Sequence, residues 1–72
     1  MLVPDGNKIQ TIRHSLRWTQ EQLAEASGLS DRTIRNAEKS KGVSEETLMS
    51  IAAAMDIPHY NELLVEDPTH YN

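Results

Sequence analysis

Apolar residues along this chain recur at helical spacing. Ile9, Ile12 and Leu16 fall at i, i+3 and i+7, which predicts a first helix from about Gly6 to Arg17 with these three side chains on its buried face. No stretch alternates apolar and polar residues for long, and phenylalanine is absent, so a strand pattern is lacking. The pattern predicts an all-α fold.

A second, short helix is predicted between two recognisable end signals. Thr19 has the side chain of a helix N-cap, and Gln22, three residues later, completes a capping box. Gly28 ends the helix, because a left-handed residue after a helix is least strained as glycine. The apolar side of this helix consists of Leu23, Ala24 and Ala26.

Three further helices follow, each with its own start signal. Ser30 and Ser44 are predicted N-caps of the third and fourth helices, Gly42 breaks the chain between them, and Pro58 suits the first turn of a short fifth helix. The predicted inward residues are Ile34 and Ala37, then Leu48, Ile51, Ala52 and Met55, then Leu63 and Leu64. Residues 1–65 are therefore expected to form one domain, and residues 66–72, which lack apolar periodicity, a frayed tail.

The second and third helices have the features of a helix-turn-helix. Two helices joined by a short turn at a steep angle must approach closely, and Ala24 is a small residue at the crossing. Gly28 tolerates the positive φ that such a turn requires. Leu23 and Ile34 are apolar anchors on the two helices, and Leu29 fills the turn.

With these residues in place, the chain from about Lys8 to Leu64 resembles the Xre/lambda-repressor-like helix-turn-helix family. The most specific matches are Trp-Thr-Gln-Glu-Gln-Leu-Ala at 18–24 and Leu-Ser-Asp-Arg-Thr-Ile-Arg-Asn-Ala-Glu at 29–38. The resemblance implies a compact five-helix domain whose third helix lies in the major groove of double-stranded DNA. It implies a transcriptional regulator, expected to be a repressor.

The third helix carries side chains suited to reading bases. With Ile34 inward, Arg32, Asn36 and Lys39 gather on the opposite side at 100° per residue, flanked by Thr33 and Arg35. Arginine pairs with guanine O6 and N7, and asparagine with adenine N6 and N7. The resemblance aligns Asp31, Arg32 and Asn36 with base readers and Thr33 with a base or phosphate contact. For Asp31, a role at the start of the helix is favoured over accepting from cytosine N4.

Other polar residues are candidates for phosphate contacts, which set the register of the protein on the duplex. The resemblance assigns this role to Gln20, at the start of the second helix, where backbone N–H groups also attract phosphate. Arg17, Arg35, Lys39 and Lys41 border the same surface. The chain departs from the family at Ser40, where glycine is usual, and this predicts a reshaped loop around Lys39 and Lys41.

Arg13 needs a structural explanation, because it shares the edge of the buried stripe of the first helix. A guanidinium in that position requires a carboxylate, and Glu38, on the inward side of the third helix beside Ile34, is the best candidate. The resemblance implies the same buried pair.

Charge is divided unevenly along the chain. The net charge is −4, yet all seven Lys and Arg lie before Gly42, where residues 1–41 sum to +2 and residues 42–72 to −6. The basic part is expected to bind operator DNA as a homodimer, with the contact between copies around Pro58–Leu64. The acidic part suggests alternatives: an antitoxin-like module that binds a basic protein, or the N-terminal DNA-binding part of a larger regulator.

Other functional classes have little support in the sequence. The three histidines stand at no metal-ligand or catalytic spacing, and cysteine and glycine-rich phosphate loops are absent. We therefore expect no enzyme activity, no metal and no cofactor. The longest apolar run, Ile51–Met55, is too short to span a membrane, and the first residues do not resemble a signal peptide. A cytoplasmic protein is expected.

Overall fold

A computed structural model describes residues 1–65, in which four α-helices are followed by one 3-10 turn. The helices are α1 (Gly6–Ser15), α2 (Gln20–Ser27), α3 (Asp31–Glu38) and α4 (Glu45–Ala54), and the 3-10 turn is Tyr60–Leu63. The predicted all-α class is confirmed, although the fifth predicted helix is only this turn and Pro58 precedes it. The tail predicted at 66–72 lies outside the described residues.

Local side-chain hydrogen bonds start each helix where the sequence predicts. Thr19 and Gln22 form the full capping box of α2, and Ser30 and Ser44 accept from the backbone amides of the residues three positions on. Gly28 ends α2 in the left-handed conformation with φ of 73°. The N-cap of α1 is Asp5, whose carboxylate accepts from the amide of Lys8 at 3.2 Å.

The core is built from large aliphatic side chains of all five elements. Those with no exposed surface are Ile9, Leu23, Ile34, Leu48, Ile51 and Leu63. Two predicted core positions are wrong: Leu16 is 40% exposed and Ala26 is exposed. Helix α1 ends at Ser15, before the predicted Arg17, so Leu16 is already a C-cap and no longer continues the buried stripe.

The N-terminal segment runs between two distant parts of the chain. Leu2 and Val43 exchange two backbone hydrogen bonds of 2.8 Å, and the amide of Val65 donates to the carbonyl of Val3 at 3.1 Å. Pro4 forms a bridge with Leu64 and is fully buried. These contacts hold the loop after α3 and the end of the described chain against one short extended segment.

The turn after α3 keeps a conformation typical of glycine although Ser40 occupies it. Ser40 has a φ of 60°, and the amide of the next residue, Lys41, donates to the carbonyl of Asn36 at 3.0 Å. Serine thus adopts here the left-handed conformation that is least strained as glycine. Among residues 1–65, no helix is both long and apolar enough to cross a bilayer.

Candidate nucleic-acid interface

Helix α3 is anchored by one side and presents the other to solvent. Ile34 and Ala37 have no exposed surface and hold the helix on the core. On the outer side, Arg32 and Arg35 are exposed and Asn36 is half-buried. Lys39, the C-cap residue of the helix, is also exposed. The outer side thus offers guanidinium, amide and ammonium groups and is suited to binding an anionic, hydrogen-bonding surface.

In the first turn of α3, the predicted contact residue Thr33 takes part in the N-cap. The Oγ of Ser30 accepts from the amide of Thr33 at 3.1 Å and lies 2.9 Å from its Oγ1. The Thr33 hydroxyl is therefore oriented by the cap rather than free to rotate. Asp31 is half-buried in this first turn, where a carboxylate interacts favourably with the helix dipole.

A cleft of about 300 Å³ opens beside the outer side of α3. Thr33 and Asn36 form one part of its lining, and the other lining residues are Met1, Gly42, Val43, Ser44 and Thr47. The sequence singled out only Thr33 and Asn36 as contact residues here. Met1 reaches the cleft because Leu2 pairs with Val43, a contact between residues far apart in sequence that periodicity does not reveal.

The carboxylate of Glu38 joins three helices on the inner side of the motif. It accepts from Arg13 Nε at 2.6 Å and from Arg13 Nη2 at 3.1 Å, which is a bidentate pair. Both side chains are more than nine-tenths buried, and Arg13 Nη1 also donates to the carbonyl of Trp18 at 2.7 Å. The sequence placed Arg13 and Glu38 together, and the structure has them in direct contact.

Gln20 is part of the same network. Its side-chain Nε2 donates to Glu38 Oε1 at 3.1 Å, so this amide is held by the protein and is half-buried. A link between Gln20 and Glu38 was not predicted, since the two residues share no periodic pattern. It orients the first residue of α2 relative to α3.

The remaining predicted phosphate contacts are exposed at the ends of helices. Arg17 follows the C-cap of α1 with a φ of 61°, and Lys41 follows Ser40 in the loop after α3. Both side chains are exposed. Within residues 1–65, no group of three or more histidine, aspartate or glutamate side chains is arranged to hold a metal ion.

This arrangement of α2 and α3 coincides with a family match. A family model described as Helix-turn-helix matches residues 9–60, which is most of the chain. The chain belongs to the Xre/lambda-repressor-like helix-turn-helix family. As a member of it, this helix-turn-helix protein is a DNA-binding regulator, and α2 and α3 are its motif. No protein among the curated sequences matches the chain.

Proposed function

We infer that this helix-turn-helix protein is a sequence-specific repressor that binds operator DNA with α3 in the major groove. The observation that carries this proposal is the division of α3 into two sides. Ile34 and Ala37 fix the helix, while Arg32 and Asn36 lie on the outer side. Because this backbone is held by the core, the outer side chains meet the bases in a defined register.

The proposed roles separate base readers from phosphate contacts. Arg32 and Asn36 read bases, and Asp31 and Thr33 assist at the start of the helix. Gln20, Arg17, Arg35, Lys39 and Lys41 contact phosphates. Gln20 is suited to this role because its bond to Glu38 fixes its direction, and because the N-terminus of α2 has a positive dipole end.

The proposed active form is a homodimer on DNA in the cytoplasm. A single module of this size buries about 600–1,000 Å² on DNA, which favours two copies on two half-sites. We place the contact between copies around Pro58–Leu64, where His59, Asn61 and Glu62 are exposed. Residues 1–41 carry the excess of positive charge that favours approach to DNA.

The test is selection from a randomised duplex DNA pool at low salt, followed by sequencing of the retained fraction. We expect an inverted repeat with half-sites about 10 bp apart, because a twofold dimer places its two reading helices one DNA turn apart. The variant with both Arg32→Ala and Asn36→Ala should enrich no such repeat. A folded wild-type protein that enriched no sequence would contradict the proposal.

A further inference from the structure

An apolar groove lies on α4 and on the segment that follows it. It has a volume of about 200 Å³ and is lined by Met49, Ala52, Ala53, Ile57, Pro58 and Tyr60. Met49 is 49% exposed and belongs to no core cluster. One wall of the groove is therefore a flexible apolar side chain that is half exposed to solvent. The volume is smaller than the roughly 300–1,000 Å³ of small-molecule pockets, and it suits a side chain of another polypeptide.

The groove points away from the candidate DNA interface. Thr47 lines the cleft beside α3, and Met49 lines the groove. These two residues are two positions apart on α4, which corresponds to a rotation of about 200° around the helix axis. A molecule in the groove therefore leaves the outer side of α3 accessible to DNA.

Acidic residues lie close in sequence to the residues that line this groove. Glu45 lies near the hydroxyl of Tyr60, and Glu46 is one helical turn before Met49. Asp56 directly precedes Ile57, Glu62 follows Tyr60 by two residues, and all four carboxylates are exposed. Lysine and arginine are absent from residue 42 onward. The groove thus has an apolar lining, and the four exposed acidic residues adjacent to it in the chain form what we call its acidic border.

We propose that this groove, here called the α4 groove, binds a basic amphipathic helical segment of another protein. An amphipathic helix inserts apolar anchors into such a groove at i, i+3 or i+4, and i+7, while lysine and arginine on its flanks face the acidic border. The α4 groove adjoins the depression lined by Pro58, His59, Tyr60 and Asn61, in the segment of the proposed contact between copies, and shares Pro58 and Tyr60 with it.

The charge of the border argues against a second copy of this chain in the α4 groove. In a twofold contact the same patch lies on both sides, so the acidic borders of the two copies would be brought together in one interface. Like charges brought together in an interface are unfavourable, whereas a basic segment is attracted. The proposal does not depend on DNA binding by α3.

The experiment is selection of helical peptides from a randomised display library on the wild-type protein. Backbone amide NMR shifts then locate the bound peptides. We expect enriched peptides with apolar residues at helical spacing and an excess of lysine and arginine, which shift the amides of Met49, Ala53, Ile57 and Tyr60. Enrichment of no peptide, of peptides without basic residues, or of peptides that bind elsewhere would overturn the proposal.

Matched variants test both parts of the α4 groove. Met49→Gln should weaken binding of the selected peptides about tenfold or more, as expected for a central anchor, whereas Leu16→Gln, at another exposed apolar residue, should not. Glu46→Lys should weaken binding more than Glu25→Lys, which changes the net charge equally on α2. Equal effects within either pair would contradict the proposal.

Two controls separate this inference from the proposed function. Met49→Gln should retain binding to operator DNA, and Arg32→Ala should retain binding to the selected peptides. Sedimentation of the free protein tests the other occupant of the α4 groove. A dimer that Met49→Gln dissociates would place a second copy there and overturn the proposal.

Discussion

The backbone amide of Gly6, the first residue of α1, donates a hydrogen bond of 3.0 Å to the Oγ of Ser40, just past the end of α3. The amide is one of those that a helix leaves without a partner at its N-terminus. The α carbon of Gly6 also lies against the carbonyl oxygen of Glu38, where a Cβ would overlap the backbone. The start of α1 therefore packs directly against the end of α3, the helix that carries the proposed base readers.

This close approach predicts that Gly6→Ala destabilises the protein. Alanine is the better helix former, by about 1 kcal/mol, but its Cβ would overlap a backbone atom that no rotamer change can move. We expect a net loss of about 1–3 kcal/mol in the free energy of unfolding, measured by urea denaturation. Gly42→Ala is the control, because its Cβ would come closest to the Met1 side chain, at 3.2 Å from the sulfur, and would make an ordinary contact of 3.7 Å with the Leu2 carbonyl oxygen. Equal losses in the two variants would contradict the explanation.

The left-handed residues Ser40 and Asp56, with φ of 60° and 61°, are expected to respond differently to substitution by glycine. Asp56→Gly should stabilise by about 0.5–1 kcal/mol, since relief of left-handed strain exceeds the extra entropy of glycine. Ser40→Gly should change stability little, because it also removes the acceptor of the Gly6 amide. Thermal denaturation measures both. A larger gain in melting temperature for Ser40→Gly would contradict this reasoning.

The buried pair of Arg13 and Glu38 predicts strong non-additivity. Arg13→Met or Glu38→Leu alone should cost about 3–5 kcal/mol, because each leaves an uncompensated buried charge. The double variant should lose much less than the sum of the two, since both charges are then gone. Urea denaturation of the wild type, the two single variants and the double variant gives the double-mutant cycle. Additive losses would mean that the pair does not stabilise the fold as a unit.

Tyr60 predicts a stability change at high pH. Partial burial of the ring, and then the nearby Glu45 carboxylate, raise the pKa of Tyr60 above its ordinary value. The folded state therefore holds the phenolic proton more tightly than the unfolded chain. The resulting stabilisation is present below the unfolded-chain pKa of about 10 and is lost as pH rises through the folded-state pKa.

Glu45→Gln should lower the pKa of Tyr60 without restoring the ordinary value, because the effect of burial remains. Ultraviolet absorbance of tyrosinate measures this in a Tyr71→Phe background, which leaves Tyr60 as the only tyrosine. Glu46→Gln is the control and should leave the pKa nearly unchanged. An unchanged pKa in Glu45→Gln would show that the carboxylate has no part in the shift.

The proposed DNA contacts predict two kinds of binding defect. Arg32→Ala and Asn36→Ala should each cost about 1–3 kcal/mol on the selected operator and relax the preference at one base pair. Gln20→Ala should weaken all duplexes alike and also lower stability slightly, because Glu38 loses a donor. Binding to operator and to unrelated duplexes at fixed salt distinguishes the two. A uniform loss for Arg32→Ala would contradict its assignment as a base reader.

The sequence alone was sufficient to predict the structural features that depend only on residues near one another in the chain. Thr19, Ser30 and Ser44 begin helices because a side-chain oxygen binds an amide two or three positions away, and Gly28 ends α2 because only local backbone strain matters there. The inward positions of Leu23 and Ile34 follow from helical periodicity. Even the partner of Arg13 was predictable, since a buried guanidinium requires a carboxylate.

Contacts between residues far apart in sequence were decided only by the tertiary structure. Leu16 is exposed because α1 ends at Ser15, so helical periodicity no longer places Leu16 on the buried side. Ser40 has a positive φ, and its hydroxyl oxygen accepts a hydrogen bond from the Gly6 amide. The pairing of Leu2 with Val43 and the α4 groove beside Tyr60 arise in the same way. Such features depend on which surfaces the packed helices bring together, and that arrangement is a property of the whole core rather than of any segment.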